Sequence, residues 1–417
     1  MQIGRWNHQS TGNRSSGNNS FKTRSSRGGF HNRGRAPVRR AGFGSFGTTE
    51  SEIAKFRNKA VTVVETSVFV PENTFAGFDI NEHLKKNIIA RGYETLTPIQ
   101  DKAIPHILAG QDVVGLAETG TGKTAAFLIP LIDKVIKQKN ERVLIMAPTR
   151  ELAVQIEKEL AGFARGTGLR GVVAVGGANI GPQISALRHN PAFVIGTPGR
   201  LKDLMERHAL DLSGFGTVVL DEADRMLDMG FIDDMRFILG KMRRERHTLF
   251  FCATMSKDIE RIIGEFLSKP VIISVKTRDT ARNIEQDVIR IPRGKDKFDV
   301  LAELLSDREF SKVLVFGRTK YGVERLAKDL SRRHIYAESI HGNKTYNARI
   351  RALEAFKEGK VTALVATDVA ARGLDIPAVS HVINYDLPST YEDYIHRVGR
   401  TGRADMKGKA LTFVQGR

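Results

Sequence analysis

Short apolar runs of three or four residues, separated by stretches with helical spacing, recur through most of the chain. The first series is Val113-Val114-Gly115-Leu116, Val143-Leu144-Ile145-Met146, Val172-Val173-Ala174-Val175, Phe193-Val194-Ile195, Val218-Val219-Leu220 and Leu249-Phe250-Phe251. Runs this short, β-branched and continuous rather than alternating predict strands buried on both faces. Between two of them, Leu152, Ala153, Ile156, Leu160 and Phe163 fall on one helical face, and Gly166 and Gly168 follow as stop signals. A polar stretch, 276–283, interrupts the pattern. A second series follows: Val288-Ile289-Arg290-Ile291, Val313-Leu314-Val315-Phe316, Ala363-Leu364-Val365-Ala366, Val382-Ile383-Asn384-Tyr385 and Leu411-Thr412-Phe413-Val414. The chain therefore predicts two α/β domains, each a parallel sheet covered by helices, joined by a short linker.

Composition narrows the partners. The 417 residues are 41% hydrophobic and 27% charged, enough for large buried cores. Lys and Arg number 65 against 47 Asp and Glu, a net charge of +18, which points to a polyanion. No apolar run reaches 18 residues and the N-terminus lacks an apolar core of the secretory kind, so neither a membrane span nor a secretory signal is expected. Cys252 is the only cysteine, which excludes an internal disulfide and fits the reducing cytoplasm. The first fifty residues hold nine Arg or Lys and one acid, Glu50, among Gly, Ser, Asn and scattered aromatics. Such a segment buries too little apolar surface to offset chain entropy and is expected to be disordered. Its Arg27-Gly28-Gly29-Phe30 resembles the tails of RNA-binding proteins.

Three segments carry chemistry. Ala117-Glu118-Thr119-Gly120-Thr121-Gly122-Lys123-Thr124 follows a strand and opens a helix. Glycines there let backbone N–H groups turn toward phosphate oxygens; Lys123 reaches the β/γ-phosphates and the Thr124 hydroxyl suits Mg²⁺. Val218-Val219-Leu220-Asp221-Glu222-Ala223-Asp224 puts acids at the C-terminal end of a buried strand, where α/β sheets bind ligands. Asp221 is placed to hold Mg²⁺ and Glu222 to orient and deprotonate a water. His396-Arg397-Val398-Gly399-Arg400-Thr401-Gly402-Arg403 offers arginines from the second domain, which phosphoryl transfer needs to neutralise transition-state charge.

With Asp-Glu-Ala-Asp and His-Arg-Val-Gly-Arg-Thr-Gly-Arg in this order, the sequence resembles the DEAD-box ATP-dependent RNA helicases of superfamily 2, most nearly the bacterial RhlE-type branch. The likeness covers Phe75 to Arg417. It implies two RecA-like parallel-sheet domains in tandem, at 75–275 and 284–417, joined by the linker 276–283 and preceded by a disordered basic tail and junction over 1–74. It implies an RNA-dependent ATPase that uses ATP and Mg²⁺. Such an enzyme separates short duplexes or remodels RNA–protein complexes, as a monomer in the cytoplasm, on single-stranded and short duplex RNA, in ribosomal or mRNA-decay complexes. An ATP-gated RNA clamp or scaffold is the alternative from another class, and a DNA helicase a third.

The same resemblance implies finer roles. Gly92-Tyr93-Glu94-Thr95-Leu96-Thr97-Pro98-Ile99-Gln100 matches the segment that selects adenine, with Thr97 and Gln100 as contacts and Phe75 and Tyr93 as aromatic surface. A Gln amide presents the paired donor and acceptor that an adenine edge requires. Thr119, Gly120, Thr121, Gly122, Lys123 and Thr124 bind phosphate, and Asp375 the ribose. Lys123, Asp221, Glu222, Arg400 and Arg403 form the catalytic set, with Thr124 and Asp221 on the metal. Pro148, Thr149, Arg150, Gly177, Thr197, Arg200 and Thr367 take the RNA backbone. Asp224, Cys252, Thr254 and His396 couple the two activities.

The chain departs from the family in three places. Cys252-Ala253-Thr254 stands where Ser-Ala-Thr is usual. Tyr346 occupies a position that is commonly Gln, although Arg349 matches. The sequence ends at Arg417 without the usual closing helix, which would leave part of a sheet face uncovered.

Overall fold

The computed structural model describes residues 69–118, 120–275, 284–371, 376, 379–402 and 407–415, together with the backbone but not the side chain of Glu392. The expected tail as far as residue 68 and the linker 276–283 lie outside the described residues. So do Thr119, Asp375 and Arg403.

Two sheets are present. The first comprises β1 (Val113–Leu116), β2 (Val143–Met146), β3 (Gly171–Ala174), β4 (Phe193–Gly196), β5 (Thr217–Leu220), β6 (His247–Cys252) and β7 (Val271–Ser274). Their order is β3-β4-β2-β5-β6-β1-β7, and every pairing is parallel. The second comprises β8 (Ile284–Ile291), β9 (Val313–Phe316), β10 (Ala337–Ile340), β11 (Ala363–Ala366), β12 (His381–Asn384) and β13 (Gly408–Gln415), in the order β10-β11-β9-β12-β13-β8, also parallel.

The near-continuous apolar strands follow from this layering. Along β2, Val143 and Ile145 enter one core while Leu144 and Met146 enter the other. Along β9, Val313 and Val315 pack on one face and Leu314 and Phe316 on the opposite face. Side chains alternate across a strand, so a strand covered by helices on both faces has no polar side.

Two strands, β7 and β10, were not expected. Both lie at sheet edges, where half the positions face solvent: in β7 Ile272 is exposed and only Ile273 is buried. Elsewhere the boundaries move. The third strand begins at Gly171 rather than Val172, the twelfth at His381 rather than Val382, and β8 and β13 extend well beyond their apolar cores. Among the described residues no helix is long and apolar enough to cross a membrane.

Candidate nucleotide and nucleic-acid site

The strand order separates two clusters of loops before any side chain is considered. β5, β6 and β1 are neighbours, and so are β3, β4 and β2. Loops that leave the C-terminal ends of adjacent strands must lie side by side.

The first cluster begins after β1. Gly120 and Gly122 take φ of 89° and 91°, a region that other residues enter only with strain. A side chain at Gly122 would strike the Gln100 amide. Gly122 is also the N-cap of the helix Lys123–Lys137, so the loop delivers unpaired N–H groups to a helix start. Thr121 Oγ1 donates to the Glu118 carbonyl at 2.8 Å. Lys123 is buried and its Nζ donates to the Ala117 carbonyl at 2.8 Å, folding the amine back across the loop. Thr124, next in the helix, is half-buried.

Across β6, at the end of β5, Asp221 and Glu222 are both buried. Glu222 has φ 51° and ψ 48°, a left-handed conformation costly for a non-glycine residue. Its Oε2 accepts from Arg225 Nη1 at 2.7 Å, and both side chains are buried. Asp221 Oδ1 accepts from the Glu222 N–H at 3.0 Å. Burial pushes the Asp221 acid up to about 6; Lys123 opposes the shift and Glu222 adds to it. Lys123 and Asp221, 98 positions apart in sequence, thus share one electrostatic site.

The end of β6 lies between them. The Asp224 carboxylate accepts from Ala253 N at 2.8 Å, Thr254 N at 3.1 Å and Thr254 Oγ1 at 3.4 Å. Cys252 is fully buried in the apolar core instead, and burial pushes its thiol up to about 12.

Two of the expected adenine residues, Thr97 and Gln100, reach the same loop. Thr97 caps the helix Pro98–Leu108, and its N–H donates to Gln100 Oε1 at 3.0 Å. Gln100 Nε2 then donates to the Gly122 carbonyl at 3.2 Å. Phe75 is buried edge-on to Tyr93, with ring centroids 6.1 Å apart, and Tyr93 packs on Phe163 at 5.2 Å.

The second cluster gathers the loops after β2, β3 and β4. Thr149, following Pro148, caps the helix Arg150–Phe163 by accepting from Leu152 N at 3.3 Å. The Arg150 guanidinium lies over Gly177, whose φ is 73° and where a side chain would collide with it. Thr197 caps the helix Pro198–Glu206, and Arg200 donates through Nη1 and Nη2 to the Ala178 carbonyl at 3.3 Å. Two guanidinium groups, two helix N-termini and a glycine turn make one patch suited to phosphate oxygens.

In the second domain, Thr367 follows β11 and its carbonyl accepts from Ala370 and Ala371. His396 lies on the helix Tyr391–Val398. Arg400 is buried just beyond it and donates through Nε to the His396 carbonyl at 3.2 Å. Arg397, to which the sequence reading gave no role of its own, is held from several sides. It forms a two-point pair with Asp368, donates to Asn384 Oδ1 at 3.2 Å and to the Asp386 carbonyl, and stands 4.9 Å from the Phe316 ring centre. Spacing three presents 397 and 400 as equivalent; only the tertiary partners distinguish them.

The two domains meet at Glu151 and Arg349. Arg349 Nε approaches Glu151 Oε1 to 2.8 Å, and both side chains are buried. The contact is charge to charge, without hydrogen-bond geometry. Tyr346, one helical turn before Arg349, is half-buried; burial raises its hydroxyl pKa, with Glu151 adding to the shift and Arg150 opposing it.

Among the described residues no group of three or more His, Cys, Asp or Glu is gathered for a metal ion. The donors present, a buried carboxylate at Asp221 and the Thr124 hydroxyl, are hard oxygens of the kind Mg²⁺ takes when it keeps waters and substrate phosphates as its remaining ligands.

A phosphate loop on one parallel sheet and arginines carried by a second parallel sheet define a two-domain RecA-like nucleotide-dependent enzyme. The DEAD/DEAH box helicase family matches residues 97–262, and the helicase conserved C-terminal domain matches residues 296–405. ATP-dependent RNA helicase CshA of Listeria monocytogenes is 49% identical over 345 residues, 82% of this chain and 66% of its own. DEAD-box ATP-dependent RNA helicase CshA of Bacillus subtilis is 47% identical over 343 residues, 82% of this chain and 69% of its own. The chain thus spans about two thirds of the length of these relatives. Among solved structures, Mss116p bound to ssRNA and AMP-PNP superposes with a TM-score of 0.75 at 30% identity, covering 84% of this chain and 77% of its own. Dbp5 of S. cerevisiae bound to RNA and ADP BeF3 gives 0.73 at 29% identity, covering 82% of this chain and 90% of its own. The chain belongs to the DEAD-box ATP-dependent RNA helicases. These relatives carry the name CshA, so the comparisons do not support the narrower RhlE-type placement.

Proposed function

We propose that this chain is an RNA-stimulated ATPase that hydrolyses ATP to ADP and phosphate and uses domain closure to separate short RNA duplexes or remodel RNA–protein complexes. The observation that carries the reading is the junction at the ends of β5, β6 and β1. There Asp224 grips Ala253 and Thr254 beside a buried Lys123, Asp221 and Glu222. A passive nucleotide binder has no need to tie the turn that carries its acids to the end of the neighbouring strand.

In this reading the amides of Gly120, Thr121 and Gly122, with Thr119, cradle the phosphates. Lys123 leaves the Ala117 carbonyl for the β/γ-phosphates. Thr124 and Asp221 would hold Mg²⁺, which when bound neutralises phosphate charge. Glu222 takes the proton of the water that attacks the γ-phosphorus as the bond to the ADP oxygen breaks. Arg400 and Arg403 stabilise the charge that develops. Gln100, Thr97, Phe75 and Tyr93 receive the adenine, and Asp375 the ribose. Pro148, Thr149, Arg150, Gly177, Thr197, Arg200 and Thr367 hold the RNA backbone, and Asp224, Cys252, Thr254 and His396 couple the two events. The domains responsible are 75–275 and 284–417. We place the protein in the cytoplasm as a monomer acting in ribosomal or mRNA-decay complexes; the net charge of +18 supports the RNA partner and the single thiol a reducing compartment.

The test is ATP turnover with single-stranded RNA, duplex RNA, DNA and no nucleic acid, run beside strand displacement. RNA-selective stimulation with displacement is expected. Turnover without displacement favours the ATP-gated clamp, and equal stimulation by DNA removes the RNA assignment.

A further inference from the structure

Gln100 and Asp101 are adjacent on the helix Pro98–Leu108, and their side chains do different work. Consecutive helical side chains diverge by about 100°. Gln100 therefore points to the phosphate loop, where it donates to the Gly122 carbonyl, while Asp101 points to the segment that leads into Phe75. Asp101 is 4% exposed. Its Oδ2 accepts from Glu72 N at 3.1 Å, and its Oδ1 from Asn73 N and Asn73 Nδ2, both at 2.9 Å. Every hydrogen bond described for Glu72 and Asn73 ends on Asp101. The segment has no regular secondary structure; Val70 is 76% exposed and Phe69, Pro71 and Asn73 are only half-buried, so no sheet ladder and only partial burial fix it before Phe75.

We propose that Asp101 is a positioning residue for nucleotide selection: its carboxylate straps residues 72–73 and so sets Phe75 against Tyr93 at the adenine end of the site. The inference rests on the adenine reading of Phe75 and Gln100 given above. Backbone N–H groups donating to an ionised carboxylate make stronger hydrogen bonds than neutral pairs, so one acid can hold a segment whose described hydrogen bonds all end on it. The same dipeptide then ties base recognition to phosphate recognition, through Asp101 on one side and Gln100 on the other.

The test is Asp101→Asn, which keeps shape but turns one acceptor into a donor facing N–H groups. With the full chain at saturating RNA, KM for ATP is expected to rise roughly tenfold, the scale of a lost hydrogen bond to a charged group. kcat should stay within about twofold, and the preference for ATP over GTP should fall because KM for GTP hardly moves. Asn73→Ala removes one of the three contacts to the carboxylate, and the 3.5 Å bond to the Asp101 carbonyl, at a half-buried position and should move the same ratio by less. A lowered Tm with an unchanged ATP-to-GTP ratio in both variants would overturn the proposal and leave Asp101 a structural residue. Phe75→Ala separates the two levels: if it too leaves the ratio unchanged, the adenine reading fails rather than the strap.

Discussion

Replacing Arg349 with alanine tests how the two domains hold each other. Arg349 and Glu151 are buried against one another at 2.8 Å, one from each domain. Burial pushes the Arg349 guanidinium below its ordinary pKa despite the attraction of Glu151. Desolvation, with Arg150, therefore outweighs the attraction of Glu151, and a buried ion pair of this kind commonly adds little net stability. Losing one partner is different, because the other charge is left buried alone at a cost of about 3–5 kcal/mol. At about 1.36 kcal/mol per tenfold, that range corresponds to a loss of roughly 10²-fold or more in the closed population. Water that enters the space left by the guanidinium reduces the cost, so the lower end of the range is expected. The assay is RNA affinity by fluorescence anisotropy with a non-hydrolysable ATP analogue. Arg349→Ala should weaken ATP-dependent RNA binding by about 100-fold while leaving ATP-independent RNA binding and Tm nearly unchanged. With Glu151→Gln measured alone beside it, the double variant Arg349→Ala with Glu151→Gln should recover most of the loss. If the two single effects simply add within about 0.5 kcal/mol, the pair does not form in the RNA-bound state and the reasoning fails.

Glu222→Gln should trap long-lived ATP- and RNA-bound complexes with turnover reduced ~10²–10⁴-fold, whereas Lys123→Ala should lose ATP affinity itself; absence of ATP-strengthened RNA binding in the Gln variant would sink the role given to Glu222. The Ser339 hydroxyl, with help from His341, Lys328 and Lys344 and against burial, pulls the Glu324 carboxyl down to about 2. Its contribution to stability is present above the ordinary 4.5 and is lost as pH falls toward 2. Thermal melts over that window should decline more steeply for the wild type than for Glu324→Gln, and parallel curves would refute the assignment. Deleting residues 1–50 removes nine basic side chains and should flatten the salt dependence of RNA binding by about 2–4 log units per log unit of salt. RNA-saturated ATPase should be unchanged, and an unaltered slope would deny the tail any contact with RNA.

Much of this architecture was legible because buried parallel strands cannot hide: Val143-Leu144-Ile145-Met146 has no position that can be polar. Edge strands escape the same reading. In Ala337-Glu338-Ser339-Ile340 only Ser339 and Ile340 are buried, and nothing in the local pattern separates it from a loop. The phosphate loop and the acids after β5 were readable because their chemistry demands contiguous residues. Arg397 with Asp368 and Glu151 with Arg349 were not, since each pairing exists only through the fold. The bond from Gln100 to Gly122 belongs to the same class: each residue was identified in its own motif, and only the tertiary structure joins them.

The position of β1 within its sheet has a consequence for biogenesis. The strand that feeds the phosphate loop has as neighbours only β6 and β7, and Val113 pairs with Leu249 and Val271, about 136 and 158 positions later. Closing loops of that length is slow as well as entropically costly. During synthesis β2, β4 and β5 can associate as they emerge, but β1 waits for the end of the first domain. Nascent chains that stop before Thr248 should therefore acquire no ATP-dependent protection from protease, and chains extended past Ser274 should acquire it at once. A chain arrested before β6 would thus lack the strand pairing that supports its phosphate loop.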